Sequence, residues 1–95
     1  MKMQQFVGPF QESTKVLNAE NVTYLQIGVE YPYSIPILEL DDSNWPIVVS
    51  INSQDFVITD KDILELELNH ESITVTVYEN LNPYVIINIA YENAN

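Results

Sequence analysis

Across most of this chain apolar side chains recur at every second position, and a chain patterned that way buries its apolar side as β-strand rather than helix. Residues 63–68 (ILELEL) place Leu64, Leu66 and Leu68 on one face and Ile63, Glu65 and Glu67 on the other. Residues 73–78 (ITVTVY) repeat the scheme, with Ile73, Val75 and Val77 on one side and Thr74, Thr76 and Tyr78 on the other. The polar stretch Asn69-His70-Glu71-Ser72 between them reads as a hairpin loop. Pairing Leu68 with Ile73 then matches Leu66 to Val75 and Leu64 to Val77, the agreement in register that a hairpin requires.

A turn cluster at 79–83 ends in Pro83, which cannot donate a ladder hydrogen bond, so the next strand spans 84–91. Setting Tyr78 against Tyr84 puts Val75 opposite Ile87 and Ile73 opposite Ile89. The expectation is a three-stranded C-terminal meander, 63–68/73–78/84–91. Upstream, 47–51 and 56–58 flank Asn52-Ser53-Gln54-Asp55 as a second hairpin, with Ile51 opposite Phe56.

The N-terminal half is less regular. Residues 22–31 alternate, with Leu25, Ile27, Val29 and Tyr31 on one face, and Gly28 reads as a bulge or a close backbone approach. Residues 35–40 form a strand confined to a sheet edge by Pro32 and Pro36, and Trp45 sits in the following loop as a lid on the core. Residues 1–21 read as one or two short strands, a helical turn, or an extended N-terminal arm docking on a neighbouring subunit.

Ninety-five residues make one domain, 1–95, and 46% hydrophobic residues suffice for one core. Several short strands without a long helix point to an all-β fold: a small antiparallel β-sandwich, Ig-like or jelly-roll-like, with a small β-barrel as the alternative.

Charge and composition exclude several classes of function. Three lysines and no arginine stand against 14 carboxylates, a formal charge of -11. Such a chain cannot displace counterions from phosphates, so neither nucleic acid nor anionic membrane is an expected partner. Cysteine is absent, which excludes disulfides and thiolate metal sites. Residues 1–6 lack the apolar run of a signal peptide, and no stretch approaches the ~18 apolar residues of a membrane span. The expected location is cytoplasmic or within a virion or other assembled particle. Abundant Ile and Asn with few Gly and Ala match AT-rich coding DNA, as in a low-GC bacterium or its phage.

Few residues suit catalysis. The one histidine, His70, lies in the expected hairpin loop, where a solvated turn residue is the simpler reading than a general base. Glu65 and Glu67 share a strand face, side by side rather than across a cleft as glycoside hydrolysis needs. Asp60 and Asp62, with Asp55 and Asp41-Asp42 in other loops, are weak candidates for a hard cation such as Ca²⁺ if those loops converge, and Asp60-Lys61-Asp62 lacks the glycine and closing glutamate of an EF-hand loop. No cofactor is expected.

The face opposite the expected core is more informative. In the meander register Tyr78, Tyr84 and Ile86 cluster there with Ile63 across from Tyr78, an apolar group that marks either a second layer or a protein interface. The resulting expectation is a non-enzymatic structural or interaction module, a subunit of a phage particle or bacterial appendage, that self-assembles or docks a protein. Two alternatives are an acidic decoy that blocks a basic nucleic-acid-binding site on a partner and a small Ca²⁺- or carbohydrate-binding adhesion domain.

Overall fold

The computed structural model describes residues 1–11, 14–30, 47–58, 63–81 and 85–94. They form six strands: β1 (Lys2–Val7), β2 (Lys15–Glu30), β3 (Ile47–Ile51), β4 (Gln54–Ile58), β5 (Ile63–Tyr78) and β6 (Ile86–Asn93). All pairings are antiparallel, in one open sheet of order β1-β6-β2-β5-β3-β4 that does not close into a barrel. The all-β antiparallel expectation therefore holds, and the barrel alternative does not.

The sheet must double over, and chain length shows why. β2 is 16 residues long, so a straight course would span about 50 Å at roughly 3.3 Å per residue. Val7 pairs with Ile86, which pairs with Glu30 at the far end of β2. Only the link from Val7 to Lys15, the near end of β2, is available to return, and it reaches at most about 29 Å. The gap closes because β2 and β5 bend together. Their register shifts between Ala19 and Val22 and again between Val22 and Tyr24, and Asn21 and His70 take left-handed backbone, each with φ 57°. Such bulges and left-handed residues are the usual means of turning a strand from one layer to the next.

One layer thus holds β1, β6, the second half of β2 and the first half of β5; the other holds the first half of β2, the second half of β5, β3 and β4. The link after β1 staples them: Gly8 donates its N–H to the Val85 carbonyl at 2.9 Å, and two residues on Phe10 donates to Asn80, just past the end of β5. One apolar cluster runs between the layers, with Leu25, Ile27, Ile87 and Ile89 from the first and Val49, Ile73, Val75 and Val77 from the second. Phe10, fully buried, lies in the link after β1, at the end of the sheet away from the bend.

The C-terminal meander is not what forms. β5 runs unbroken through Asn69-His70-Glu71-Ser72, and β6 pairs with β1 and β2 rather than with β5. Leu64 and Leu66 face Ile27 and Leu25, while Ile73 and Val75 face Ala19 and Leu17. Alternation assigns faces, not partners. A polar tetrad suits a solvated bend as well as a hairpin loop, and β2 offers a matching polar stretch, Asn18 to Asn21, on the other side of the same bend.

The β3–β4 hairpin forms with a tighter turn and a shifted register. Ile51 faces Gln54, Val49 faces Phe56 and Ile47 faces Ile58. Asn52 and Ser53 form the turn with φ of 49° and 68°, the doubly left-handed geometry whose twist matches the flanking strands. Apolar partners still meet, which is why sequence could not separate the two registers.

The segment expected as short strands or an extended arm supplies β1 and the start of β2 within the chain's own sheet. Gly28 is neither bulged nor crowded: it stands in regular register between Ile63 and Asn88, and a Cβ there would meet nothing within 4 Å. The expected strand 35–40, Tyr31 and the Trp45 lid lie outside the described residues.

Candidate interaction surfaces

Strand register fixes what each outer face displays. On the first layer Tyr24 stands between Glu67 and Glu92, and Gln26 between Glu65 and Ala90. Gly28 stands between Ile63 and Asn88, and Glu30 beside Ile86. Amides tie the rows together: Gln26 Nε2 donates to Glu65 at 2.7 Å, Asn88 Nδ2 to Glu30 at 2.7 Å, and Gln5 Nε2 to the Asn88 side-chain oxygen Oδ1 at 2.9 Å. Four carboxylates therefore share one face, interleaved with amides and with the exposed side chains of Met3, Val7 and Ile63. Burial, then the charge and hydrogen bonding of Glu65 and the charge of Glu92, push the Tyr24 phenol above its ordinary pKa.

The second layer is more neutral. Thr74 donates from its hydroxyl to Asn18 at 2.9 Å, and Ser50 lies between Thr76 and Asp55. Tyr78 donates its phenol to the Asp55 carboxylate at 2.9 Å. That bond first, then desolvation and the charges of Asp55 and Glu79, hold its pKa above the ordinary value against a smaller opposing bond from Ser50. Asn52 latches the hairpin to the bend in β5, accepting from the Thr74 N–H at 2.9 Å and donating to the Ser72 carbonyl at 3.1 Å.

The apolar group expected around Tyr78 is not assembled. Ile63 and Tyr78 are the two ends of one 16-residue strand, and the bend sends them to different layers. Ile63 is exposed beside Gly28, Ile86 lies between Glu30 and Val7, and Tyr84 is outside the described residues. The clustering followed from the meander register and fails with it. Asp55 binds Tyr78, whereas Asp41, Asp42, Asp60 and Asp62 lie outside the described residues; among the described residues no group of three potential metal ligands occurs. His70 marks the bend of β5, exposed, rather than a hairpin loop.

What sequence reasoning missed is the outer edge of β1, which pairs with no strand among the described residues. Met3, Gln5 and Val7 sit on the outer face at the sheet's margin, and their alternation with Lys2, Gln4 and Phe6 was the available signal. Next to them opens a groove of ≈ 500 Å³ between Gln4–Val7 and Thr14–Val16. Comparison with protein-family models, curated proteins and solved structures finds no match to this chain.

Proposed function

We propose that this chain is a non-enzymatic assembly unit that works through protein–protein contact, as a subunit of a larger particle such as a phage particle or bacterial appendage. One observation carries the reading: the sheet ends in margins that carry strongly exposed apolar side chains, Met3 at 69% and Val7 at 50% on β1 and Val57 at 61% on β4. An isolated sheet ordinarily blunts its edges, and apolar margins gain free energy when another chain covers them. The net charge of -11 keeps the free unit soluble. Sedimentation equilibrium over a wide concentration range tests the reading: self-association supports it, and a strict monomer at the highest concentration overturns it.

A second reading has its own support. Glu30, Glu65, Glu67 and Glu92 gather on one outer face instead of scattering over turns, which favours the acidic decoy that occupies a basic groove on a partner. Titration with a cationic polypeptide distinguishes it. Saturable binding that weakens steeply with salt and is lost in Glu65→Gln/Glu67→Gln supports the decoy, while binding indifferent to those changes removes it.

A further inference from the structure

We propose that two copies of this chain pair through β1, antiparallel and centred on Gln5, to make one continuous sheet across a twofold dimer. The inference deepens the assembly reading and rests on it.

Backbone geometry identifies the groups on offer. The bond from the Gly8 N–H to the Val85 carbonyl continues the β1–β6 register, in which Phe6 faces Ile87 and Gln4 faces Ile89. In an antiparallel ladder the positions that exchange hydrogen bonds with one neighbour alternate with positions that face away. Phe6, Gln4 and Lys2 therefore turn their backbone groups toward β6, and Met3, Gln5 and Val7 turn theirs toward the free side. Among the described residues no strand pairs there.

Charge selects the occupant. Two molecules of -11 repel wherever carboxylates meet. The other free margins among the described residues carry them, Asp55 on β4, Glu65 and Glu67 on the first half of β5 and Glu20 on the first half of β2, whereas the first eleven residues hold Lys2 and no acid. At β1, and only when β1 meets β1, neither partner brings an acid in its strand. The edge also lacks the usual guards: its register is unbroken, without proline, and its single charge lies at one end.

Register follows from these constraints. Centring on Gln5 sets Gln5 against the partner's Gln5 and Met3 against the partner's Val7 twice over, all on hydrogen-bonding positions and all on the outer face. Both exposed apolar side chains become covered. A register centred between two residues would oppose groups already bonded to β6. Centring on Gln4 sets Met3 against the partner's Gln5 amide and Val7 against the partner's Met1, losing the Met3–Val7 match within the strand, and centring on Met3 leaves Val7 uncovered.

The test is a charge exchange read by sedimentation equilibrium on the full chain, with circular dichroism confirming that each variant keeps its sheet. Wild type should rise from the 10.9 kDa of one chain toward twice that mass as concentration increases, more readily at high salt. Met3→Glu should weaken self-association at least tenfold. Met3→Glu/Val7→Lys should restore it, because the register places the new carboxylate opposite the partner's new ammonium; Met3→Glu/Val16→Lys should not. A wild type that is monomeric throughout overturns the assembly reading itself. Oligomers indifferent to Met3→Glu, or rescued equally by Val16→Lys, overturn the β1 pairing while leaving assembly standing. Growth beyond a dimer overturns the twofold arrangement.

Discussion

Asn52 carries more of the tertiary structure than its place in a two-residue turn suggests. Its side chain caps the point where β3 stops pairing with β5, serving the Thr74 N–H and the Ser72 carbonyl, and its positive φ is one that Asn tolerates better than most residues. Asn52→Ala loses both bonds, each worth about 1 kcal/mol, and should lower the melting temperature by on the order of 10 °C for a domain of this size. Ser53→Gly should do the reverse, by about 0.5–1 kcal/mol, since Asn-Gly is the preferred pair for this turn. Both are read by thermal denaturation. Gly28→Val should also stabilise, by about 0.5–1 kcal/mol, because the new side chain meets open space beside Ile63 and a glycine in a strand is intrinsically unfavourable.

Ionisation gives a further residue-scale expectation. The Tyr78 phenol is held above its ordinary pKa of 10.0, chiefly by its hydrogen bond to Asp55. A raised folded-state pKa means that the folded chain keeps the proton more tightly than the unfolded chain. The associated stability is complete below pH 10 and is lost as the pH rises through the folded value; Tyr24, raised mainly by burial, acts in the same sense. Asp55→Asn should bring the Tyr78 titration, followed by NMR of the phenolic carbon, back toward its ordinary range. An unchanged midpoint would show that Asp55 does not hold it.

Among the elements, the paired bend in β2 and β5 decides the fold. Asn21 and His70 occupy left-handed backbone, which costs an ordinary side chain about 1–2 kcal/mol and a β-branched one more. His70→Val raises β propensity at an exposed position in a strand, yet it should destabilise by about 1–2 kcal/mol because it opposes the bend. Chemical denaturation checks the sign. Stabilisation instead would mean that β5 needs no left-handed residue at 70. Alternation showed where the strands and their apolar faces lie, including Leu25 and Ile27 in β2 and Ile73, Val75 and Val77 in β5. It could not show that residues 69–72 carry a strand between layers instead of reversing it, because polarity only reports exposure, and a bend and a hairpin loop are equally exposed.

For the molecule as a whole, charge sets the conditions under which it folds and associates. Four carboxylates on one outer face and a total of -11 oppose the compact state at low ionic strength. Added salt screens that repulsion over a Debye length of about 8 Å at 0.15 M. The melting temperature should therefore rise between about 10 and 500 mM sodium chloride in Met3→Glu, the variant designed to block association, so that stability is read apart from self-association. A flat profile would show the carboxylates far enough apart to be indifferent to one another.

The sequence by itself determined an all-β fold with alternating faces and a formal net charge of -11. These follow from side-chain period and residue counts, which are local properties of the chain. Tertiary structure decided which strand pairs with which, that the sheet doubles over at Asn21 and His70, and that β1 is left at its margin. Partner choice is a long-range property: each apolar face could have been covered by several others, and constraints such as the limited reach of the link from Val7 to Lys15 select among them. For the same reason the candidate surface moved. The group imagined around Tyr78 depended on a partner that β5 does not have, and the free backbone groups of Met3, Gln5 and Val7 became visible only once β6 had taken the other side of their strand.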